Sequence, residues 1–279
     1  CHQRAGLCTK KTDCQIIKFN SKRSVMIKFF RHIRKRLIGE KRFSKYLLYA
    51  IGEIILVVIG ILIALQINNW NEDRLTSEFE LQMLTSLKEG LTTDLADIDF
   101  NIKYTTRGIA KTDTIIKYLR TEQPRDLDTI ARWFSDAMTP TRFQYSTSAF
   151  ETLKSKGITL ISNDVLRKKI IDVYDAEYNF FLAQQEMHLL EIERGYTTVL
   201  ATRFEDSYNY DTQSPGFPGS LRPLNFSSLK NDQEFLYYFK SLKNRSLLLI
   251  SFHYRKLRAK VVELIANIDD ETIKKTKDD

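Results

Sequence analysis

The sequence predicts an all-α protein in which one N-terminal transmembrane helix is followed by an antiparallel bundle of long helices. An unbroken apolar run lies near the N-terminus, and apolar residues recur every three or four positions through much of the remaining chain. No stretch alternates between apolar and polar residues for long enough to predict a sheet. Together these features favour helices packed along one another over any sheet-containing architecture.

The apolar run, residues 46–67, reads YLLYAIGEIILVVIGILIALQI and contains 14 Leu, Ile or Val. As a helix it extends about 33 Å, enough to cross a hydrocarbon core of about 30 Å. Its one charge, Glu53, costs about 3 kcal/mol, and the aliphatic residues offset this at about 0.3–0.6 kcal/mol each. A cleaved signal peptide is the rival interpretation, but the run is long and lacks a clean A-x-A site. We therefore predict an uncleaved signal anchor.

The flanking charges predict the orientation of this helix. Residues 18–45 hold eleven Lys or Arg and one acid, Glu40, whereas the other flank begins NNWNED. Positive charge stays in the cytoplasm, which predicts a cytoplasmic N-terminus and an exported C-terminal region. We therefore expect residues 72–279 to form a helical domain on the exported side of the membrane.

The net charge of +8 is unevenly distributed along the chain. Residues 1–67 carry +11 and the remainder −3, so the basic charge indicates anionic lipid and argues against nucleic acid. Residues 26–45 form a basic juxtamembrane segment, either an amphipathic helix on the membrane or an ordinary topogenic charge cluster. The residues expected to contact lipid headgroups are Lys28, Arg31, Arg34, Lys35 and Arg36.

The first 25 residues show no periodicity and begin with Cys, whereas MIKFFR from Met26 is typical of a natural start. We expect residues 1–25 to be either upstream sequence translated in error or a disordered extension. All three cysteines (Cys1, Cys8 and Cys14) lie there, so no disulfide is expected in the exported domain.

Beyond the membrane the apolar spacing predicts three long helices and two short ones. The first long helix covers 72–120, and short helices cover 126–138 and 146–156. The second long helix covers 163–206 and the last 231–270, with a charged tail that frays. Between them lies a loop, 207–230, with three of the five prolines.

Two stretches resemble a family of uncharacterised membrane proteins from Bacteroidota. The first is YAIGEIILVVIGILIALQINNWN from Tyr49 to Asn71, and the second is FETLKSKG from Phe150 followed by LISNDVLR from Leu160. The resemblance covers most of the chain from Met26 onward. It implies a bacterial inner-membrane protein with a periplasmic helical domain, and it transfers no activity.

Two candidate contact sites follow from the sequence. Glu53, Gly60 and Ala64 are spaced seven and four apart, so they share a helix face that a second transmembrane helix can approach closely. Alternatively, Glu53 reaches toward the headgroups. The loop 207–230 offers a second site, either as a recognition surface or as a linker whose aromatics pack back onto the helices. Its candidate residues are Tyr208, Tyr210, Phe217, Arg222 and Phe226.

No sequence motif for an enzyme occurs, and no cofactor is expected. His188 has acidic neighbours that invite a carboxylate-bridged metal site. Such a site needs Glu three residues before each His, but Gln185 precedes His188 and Ile250 precedes His253 at that spacing. We expect His253 to be a satisfied core residue. The sequence therefore predicts a non-enzymatic scaffold or accessory subunit of an envelope complex, acting as a homo-oligomer or with another membrane protein. The alternative is a periplasmic small-ligand sensor that signals laterally through its transmembrane helix.

Overall fold

The computed structural model describes residues 43–121, 126–216 and 218–278, and most of them are helical. The chain divides into two compact units, Cys1–Arg74 and Leu75–Asp279. The predicted extension 1–25 and most of the basic segment 26–45 lie outside the described residues.

Helix α1 runs Phe43–Thr121. Its N-terminal part is apolar enough to cross a membrane, with a window of mean hydropathy 2.7 of which nothing is buried within the protein. In the second unit, α1 buries a stripe at spacings of three and four, as the sequence predicts. The buried apolar residues of this part are Met83, Leu84, Leu87, Leu91, Ile98, Ile115, Tyr118 and Leu119.

Two short helices follow, close to the predicted ranges. Helix α2, Leu127–Met138, begins at Asp126, whose carboxylate accepts hydrogen bonds from the amides of Asp128 and Thr129. Helix α3, Ser148–Lys156, ends at Gly157, whose φ of 107° suits a residue without a side chain. A 3₁₀ turn, Ile158–Leu160, leads to the next helix.

The second long helix consists of α4, Asp164–Ile171, a π-helical turn, Asp172–Glu177, then α5, Tyr178–Arg194, and a second π-helical turn, Gly195–Leu200. The predicted end at residue 206 is wrong by six positions. Arg203 lies just after the observed end at Leu200. Its guanidinium binds Asp232 and Glu234 at 2.6 Å, and these contacts accompany the change in chain direction.

The last long helix is α6, Gln233–Leu248, a π-helical turn, Leu249–Tyr254, and α7, Arg255–Asp278. The expectation that the tail after 270 frays is wrong. Glu271 accepts a hydrogen bond from Asn163 at 2.7 Å, and Lys275 Nζ lies 2.8 Å from the buried Glu80. These contacts hold the final turns in helical form.

The segment between the second and last helices contains the only strands of the described residues. Strand β1, Asn209–Tyr210, pairs antiparallel with β2, Gly219–Ser220. An isolated bridge joins Phe204 to Pro223, and a 3₁₀ helix covers Phe226–Asn231. The predicted 207–230 loop is therefore a small ribbon followed by a helical turn.

The core of the second unit has two hydrophobic clusters. One joins the start of α1 in this unit to α3, α4 and α7, around Tyr174 and Tyr178. The other joins the end of α1 to α2, α6 and the segment 201–232 between the second and last long helices, around Phe134 and Phe239. Edge-to-face ring pairs are common in the second cluster, with Phe134 centroids 5.0 Å from Phe204 and 5.7 Å from Phe239.

Candidate functional site

The predicted membrane-contact face lies on the exposed part of α1. Glu53 is half-buried, and Gly60 and Ala64 are exposed. A Cβ atom placed on Gly60 meets no other heavy atom within 4 Å, so this face has free space beside the glycine. The basic residues predicted to contact headgroups, Lys28 to Arg36, lie outside the described residues.

The loop residues predicted for recognition divide into two groups. Arg222 binds the carboxylates of Asp128 and Glu205, and the half-buried Phe226 packs against Tyr118, with ring centroids 5.6 Å apart. These contacts fix residues 222–226 of the connection between the second and last long helices on α2 and on the second core cluster. Phe217 lies outside the described residues.

Tyr208 and Tyr210 remain at the surface. Tyr208 is 49% exposed and has a φ of 57°, which is uncommon for a residue with a side chain. Its hydroxyl donates to Glu193 at 2.8 Å, and its ring stacks on Tyr196 with centroids 4.6 Å apart. The hydroxyl of Tyr210 lies 3.5 Å from Thr139 Oγ1. The two tyrosines thus connect the ribbon to α5 and to the end of α2.

Three cavities are each lined by part of the segment Thr139, Pro140 and Thr141, which has no regular structure. An open cleft of about 380 Å³ lies beneath the ribbon, between Arg107 and Gly219. A second cleft of about 300 Å³ lies beside α5, between Arg142 and Tyr208. A third, small cavity of about 20 Å³ is lined by residues of all of this segment and has room for a single water molecule. The candidate site of the second unit is therefore the neighbourhood of residues 139–142.

His188 lines the small cavity. It is 8% exposed, and its Nδ1 atom has no hydrogen-bond partner among the described residues. Burial, with a smaller effect from the charge of Arg245, lowers the pKa of His188 to about 4, so the imidazole is neutral at pH 7. Its acidic neighbours are engaged elsewhere, since Glu186 binds Arg142 and Glu191 binds Arg245. Within the described ranges, no group of three or more potential metal ligands occurs.

The expectation for His253 is wrong. His253 is half-buried and its Nδ1 atom also lacks a partner among the described residues, whereas Ile250 and Tyr254 occupy the core. The π-helical turn Leu249–Tyr254 accounts for this difference, because an extra residue in the turn rotates the apolar stripe relative to an ideal α-helix. His253 therefore faces the exposed ring of Phe180, at 5.7 Å.

Three polar side chains, two of them buried and one half-buried, hold the segment 139–147 that follows α2, and the sequence did not single them out for this role. The amide of Phe143 donates to Gln185 Oε1 at 2.7 Å, that of Gln144 to Asp97 at 3.1 Å, and that of Ser146 to Asp94 at 2.7 Å. Each of these amides would otherwise be left without a partner as the chain crosses the helices. In the sequence, Asp94 and Gln185 interrupt apolar helix faces, and this was the only local sign that they accept hydrogen bonds in the interior.

Asp94 is the most buried of these carboxylates, at 1% exposure. It also accepts a hydrogen bond from the Tyr178 hydroxyl at 2.6 Å. Burial raises the pKa of Asp94, and the hydrogen bonds from Tyr178 and Ser146 counteract only part of this effect. Because its oxygens are occupied by these donors, Asp94 serves to position the chain at residues 143–146.

The comparisons with known proteins bear on the chain as a whole. None of the curated proteins and none of the solved structures matches it. One protein family does match, over residues 53–199, which is more than half of the chain. This region begins within the apolar part of α1 and ends in the second π-helical turn. The chain therefore belongs to DUF6090, a family of unknown function.

Proposed function

We propose that this chain is a membrane-anchored scaffold or accessory subunit of a bacterial envelope complex, and that it catalyses no reaction. The observation that carries the proposal is the apolar part of α1, none of which is buried within the protein. Aliphatic side chains exposed along about 33 Å of helix require lipid or another apolar helix around them. A single anchor of this kind suits a protein that holds a partner at the membrane.

The orientation follows from the charge asymmetry. Eleven basic residues precede the apolar run within 18–45, so the N-terminus is cytoplasmic and residues 72–279 form a periplasmic antiparallel bundle. The resemblance to uncharacterised Bacteroidota proteins supports an inner-membrane location. The face of Glu53, Gly60 and Ala64 is the contact inside the membrane, with a second copy or with another envelope protein.

The absence of catalysis is supported by the roles of the buried polar groups. Glu80 and Asp94 accept hydrogen bonds from backbone amides of the irregular segments, and His188 is neutral and enclosed. None of the nucleophile, metal or phosphate motifs of known enzyme classes occurs in the sequence.

In-cell crosslinking tests the scaffold proposal. The protein is expressed from Met26 in its own cells, crosslinked, extracted in detergent and analysed by mass spectrometry. We expect one envelope protein in stoichiometric amount, or a discrete homo-oligomer. Recovery of the protein as a monomer without crosslinked partners would contradict the proposal.

A labelling experiment tests the orientation separately. Asn244 is exposed, so a cysteine there (Asn244→Cys, with the N-terminal cysteines absent from a chain begun at Met26) is open to reagents. We expect a membrane-impermeant maleimide to label it in cells whose outer membrane alone is permeabilised. Labelling only after lysis would place this domain in the cytoplasm.

The alternative function, a ligand sensor, is favoured by the two open clefts beside residues 139–142. Their volumes of about 380 and 300 Å³ fall at the lower end of small-molecule sites. A sensor of this size would signal laterally, through the transmembrane helix, to another protein. A ligand that raises the melting temperature of the full chain in detergent would favour this function.

A further inference from the structure

We propose that the cleft beneath the β1–β2 ribbon binds a small organic anion with a ring or another flat apolar part. The cleft lies between the α1 residues Tyr104 and Arg107, the α2 residue Arg132, and the ribbon residues Tyr210 and Gly219. Its volume of about 380 Å³ is sufficient for a molecule the size of a substituted aromatic acid. This inference goes beyond the scaffold function and supplies the ligand class that a sensor would need.

The charge of the cleft favours an anion. Two guanidinium groups, those of Arg107 and Arg132, line it together with one carboxylate, Asp136. Arg107 binds this carboxylate through Nε at 3.1 Å and Nη2 at 2.8 Å, both to the same oxygen, Oδ2. A guanidinium has five N–H donors, so Arg107 keeps three for a ligand after these two bonds.

Arg132 is the more available cation. It is exposed, and its Nη2 atom makes a long contact of 3.4 Å with Thr129 Oγ1. Within the described ranges it forms no salt bridge, so most of its donors remain for a carboxylate or phosphate. Its charge does act on Asp126, whose pKa is lowered first by the hydrogen bond from the Asp128 amide and to a smaller extent by Arg132. The cleft therefore carries one positive charge more than its carboxylate neutralises.

The walls of the cleft suit the apolar part of such a ligand. Tyr104 is 41% exposed, and its ring contacts that of Phe100, with ring centroids 4.3 Å apart. Tyr210, Pro215 and Pro218 also line the cleft. Rings and prolines offer flat apolar surface at a low cost in side-chain entropy, which is typical of small-molecule sites.

The ribbon is held in place before any ligand arrives. The amide of Leu221 donates to the Ala131 carbonyl at 3.1 Å, which joins the end of β2 to α2. A Cβ atom on Gly219 would lie 2.1 Å from Ser135 Oγ and 2.9 Å from the Tyr210 ring. Only glycine permits this close approach, so the cleft is a preformed feature of the fold.

The neighbouring cleft beside α5 is a poorer candidate for an anion. Its arginine, Arg142, lies 3.2 Å from Glu186, and a second acid, Glu193, also lines it. The lining there has one more negative than positive charge. An anion that enters this part of the protein should therefore prefer the cleft beneath the ribbon.

Calorimetric titration of the full chain in detergent micelles tests this inference, with benzoate and phenyl phosphate as probes and benzamide as the neutral control. We expect saturable binding of one or both anions with a Kd of about 1 mM or tighter, and none of benzamide. Arg132→Gln should weaken binding at least tenfold, because it removes a charged donor without breaking a salt bridge. Arg142→Gln, in the neighbouring cleft, is the matched control and should bind as the unmodified protein does.

Either of two results would overturn the inference: neither anion binds saturably, or Arg132→Gln and Arg142→Gln bind equally well. Benzoate binding without phenyl phosphate binding would assign the site to carboxylates, and the reverse to phosphates. Circular dichroism shows whether Arg132→Gln is folded, which we expect because the residue is exposed. Failure here would leave the membrane-anchor proposal intact, since crosslinking and labelling test that separately.

Discussion

His188 is a buried imidazole whose neutrality contributes to the stability of the fold. It lines a cavity with room for a single water, and its Nδ1 atom has no partner among the described residues. Protonating it inside the protein would place a positive charge in an enclosed site near Arg245. In the unfolded chain the imidazole is solvated and lies away from Arg245. The folded and unfolded states therefore bind different numbers of protons at pH values between the folded and the unfolded pKa of His188.

This difference predicts a pH dependence of stability. The folded pKa of His188 is about 4 and the unfolded value is 6.5, so the unfolded chain binds more protons between them. The contribution of neutral His188 is present above pH 6.5 and is lost as the pH falls toward 4, by about 3 kcal/mol in all. The free energy of unfolding of His188→Gln, measured in urea at a series of pH values, should lack this part of the pH dependence. Burial also lowers the pKa of His253, which is only half-buried, so His253→Gln is a comparison that should change the pH profile less. An unchanged pH profile in His188→Gln would contradict the argument.

Gly195 is a second residue whose role comes from its surroundings. A Cβ atom at this position would lie 1.9 Å from the hydroxyl oxygen and 2.1 Å from Cζ of Tyr238, which is 6% exposed. Tyr238 cannot move away easily, because its hydroxyl donates to the Glu191 carbonyl at 3.3 Å and its ring packs against Phe239.

Gly195→Ala should therefore destabilise the protein by about 1–3 kcal/mol, despite the higher helix propensity of alanine. In a Tyr238→Ala background the cost should shrink or change sign, because the obstructing ring is gone. A double-mutant cycle in urea measures this coupling. Equal effects of Gly195→Ala in both backgrounds would show that the ring contact is not the cause. Gly52→Ala, where a Cβ meets nothing within 4 Å, is the control.

At the scale of elements, the sequence predicted which segments are helical and largely which faces are buried. In the second long helix, for example, apolar residues at the predicted spacing of three and four are buried, at Leu166, Ile170, Tyr174, Tyr178 and Phe181. The three π-helical turns were not predicted, because spacings of three and four accommodate one extra residue without leaving the stripe. The ribbon was missed for a related reason, since two-residue strands are too short to alternate.

The candidate site was predictable only in part. Tyr208 and Tyr210 were singled out as aromatics among proline and glycine, and both border cavities. Arg107 and Arg132 are ordinary surface arginines in the sequence, and only the folded chain brings them beside Gly219. Contacts across such sequence distances carry no local pattern, so a single sequence could not reveal the cleft.

The end of α7 depends on a buried ionic junction. Glu80, at 2% exposure, accepts hydrogen bonds from the amide and the hydroxyl of Ser162 at 2.9 and 3.0 Å and pairs with Lys275 at 2.8 Å. One carboxylate thus joins α1, the start of α4 and the last turns of α7. This junction explains why the charged tail is helical.

Lys275→Met should destabilise the protein by about 3 kcal/mol, because it leaves the buried Glu80 carboxylate without its cation. Hydrogen exchange should then show faster opening of residues 271–278. Adding Glu80→Gln should recover part of the loss, since the buried charge is removed as well. Lys277→Met, at an exposed position, is the control and should lie within about 0.5 kcal/mol of the original protein. A loss of the same size in both lysine variants would contradict the junction.

At the scale of the whole molecule, the two units differ in whether their apolar side chains are buried within the protein. The second unit buries two apolar clusters and holds its irregular segments with side-chain acceptors, as a water-soluble domain does. The apolar part of the first unit leaves its aliphatic side chains uncovered. The surroundings of that helix must therefore complete the structure, and the proposed function depends on whether they include another protein as well as lipid.

Two leucine substitutions separate these possibilities. A Cβ atom meets nothing within 4 Å at either Gly52 or Gly60, so neither Gly52→Leu nor Gly60→Leu creates a clash within the chain. The two positions lie about 80° apart around the helix, and only Gly60 shares the face of Glu53. If a second helix packs on that face, Gly60→Leu and Glu53→Leu should abolish the crosslinked species, whereas Gly52→Leu should retain it.

The same three variants can be compared by native electrophoresis in mild detergent, with membrane insertion checked by resistance to carbonate extraction. Leucine favours insertion at each position, so a lost complex would reflect a lost contact and not a failed anchor. If Glu53→Leu and Gly60→Leu keep every partner and the same oligomeric state, the helix contacts lipid alone. Any scaffold would then have to act through the second unit, where the clefts around residues 139–142 become the first place to look for its partner.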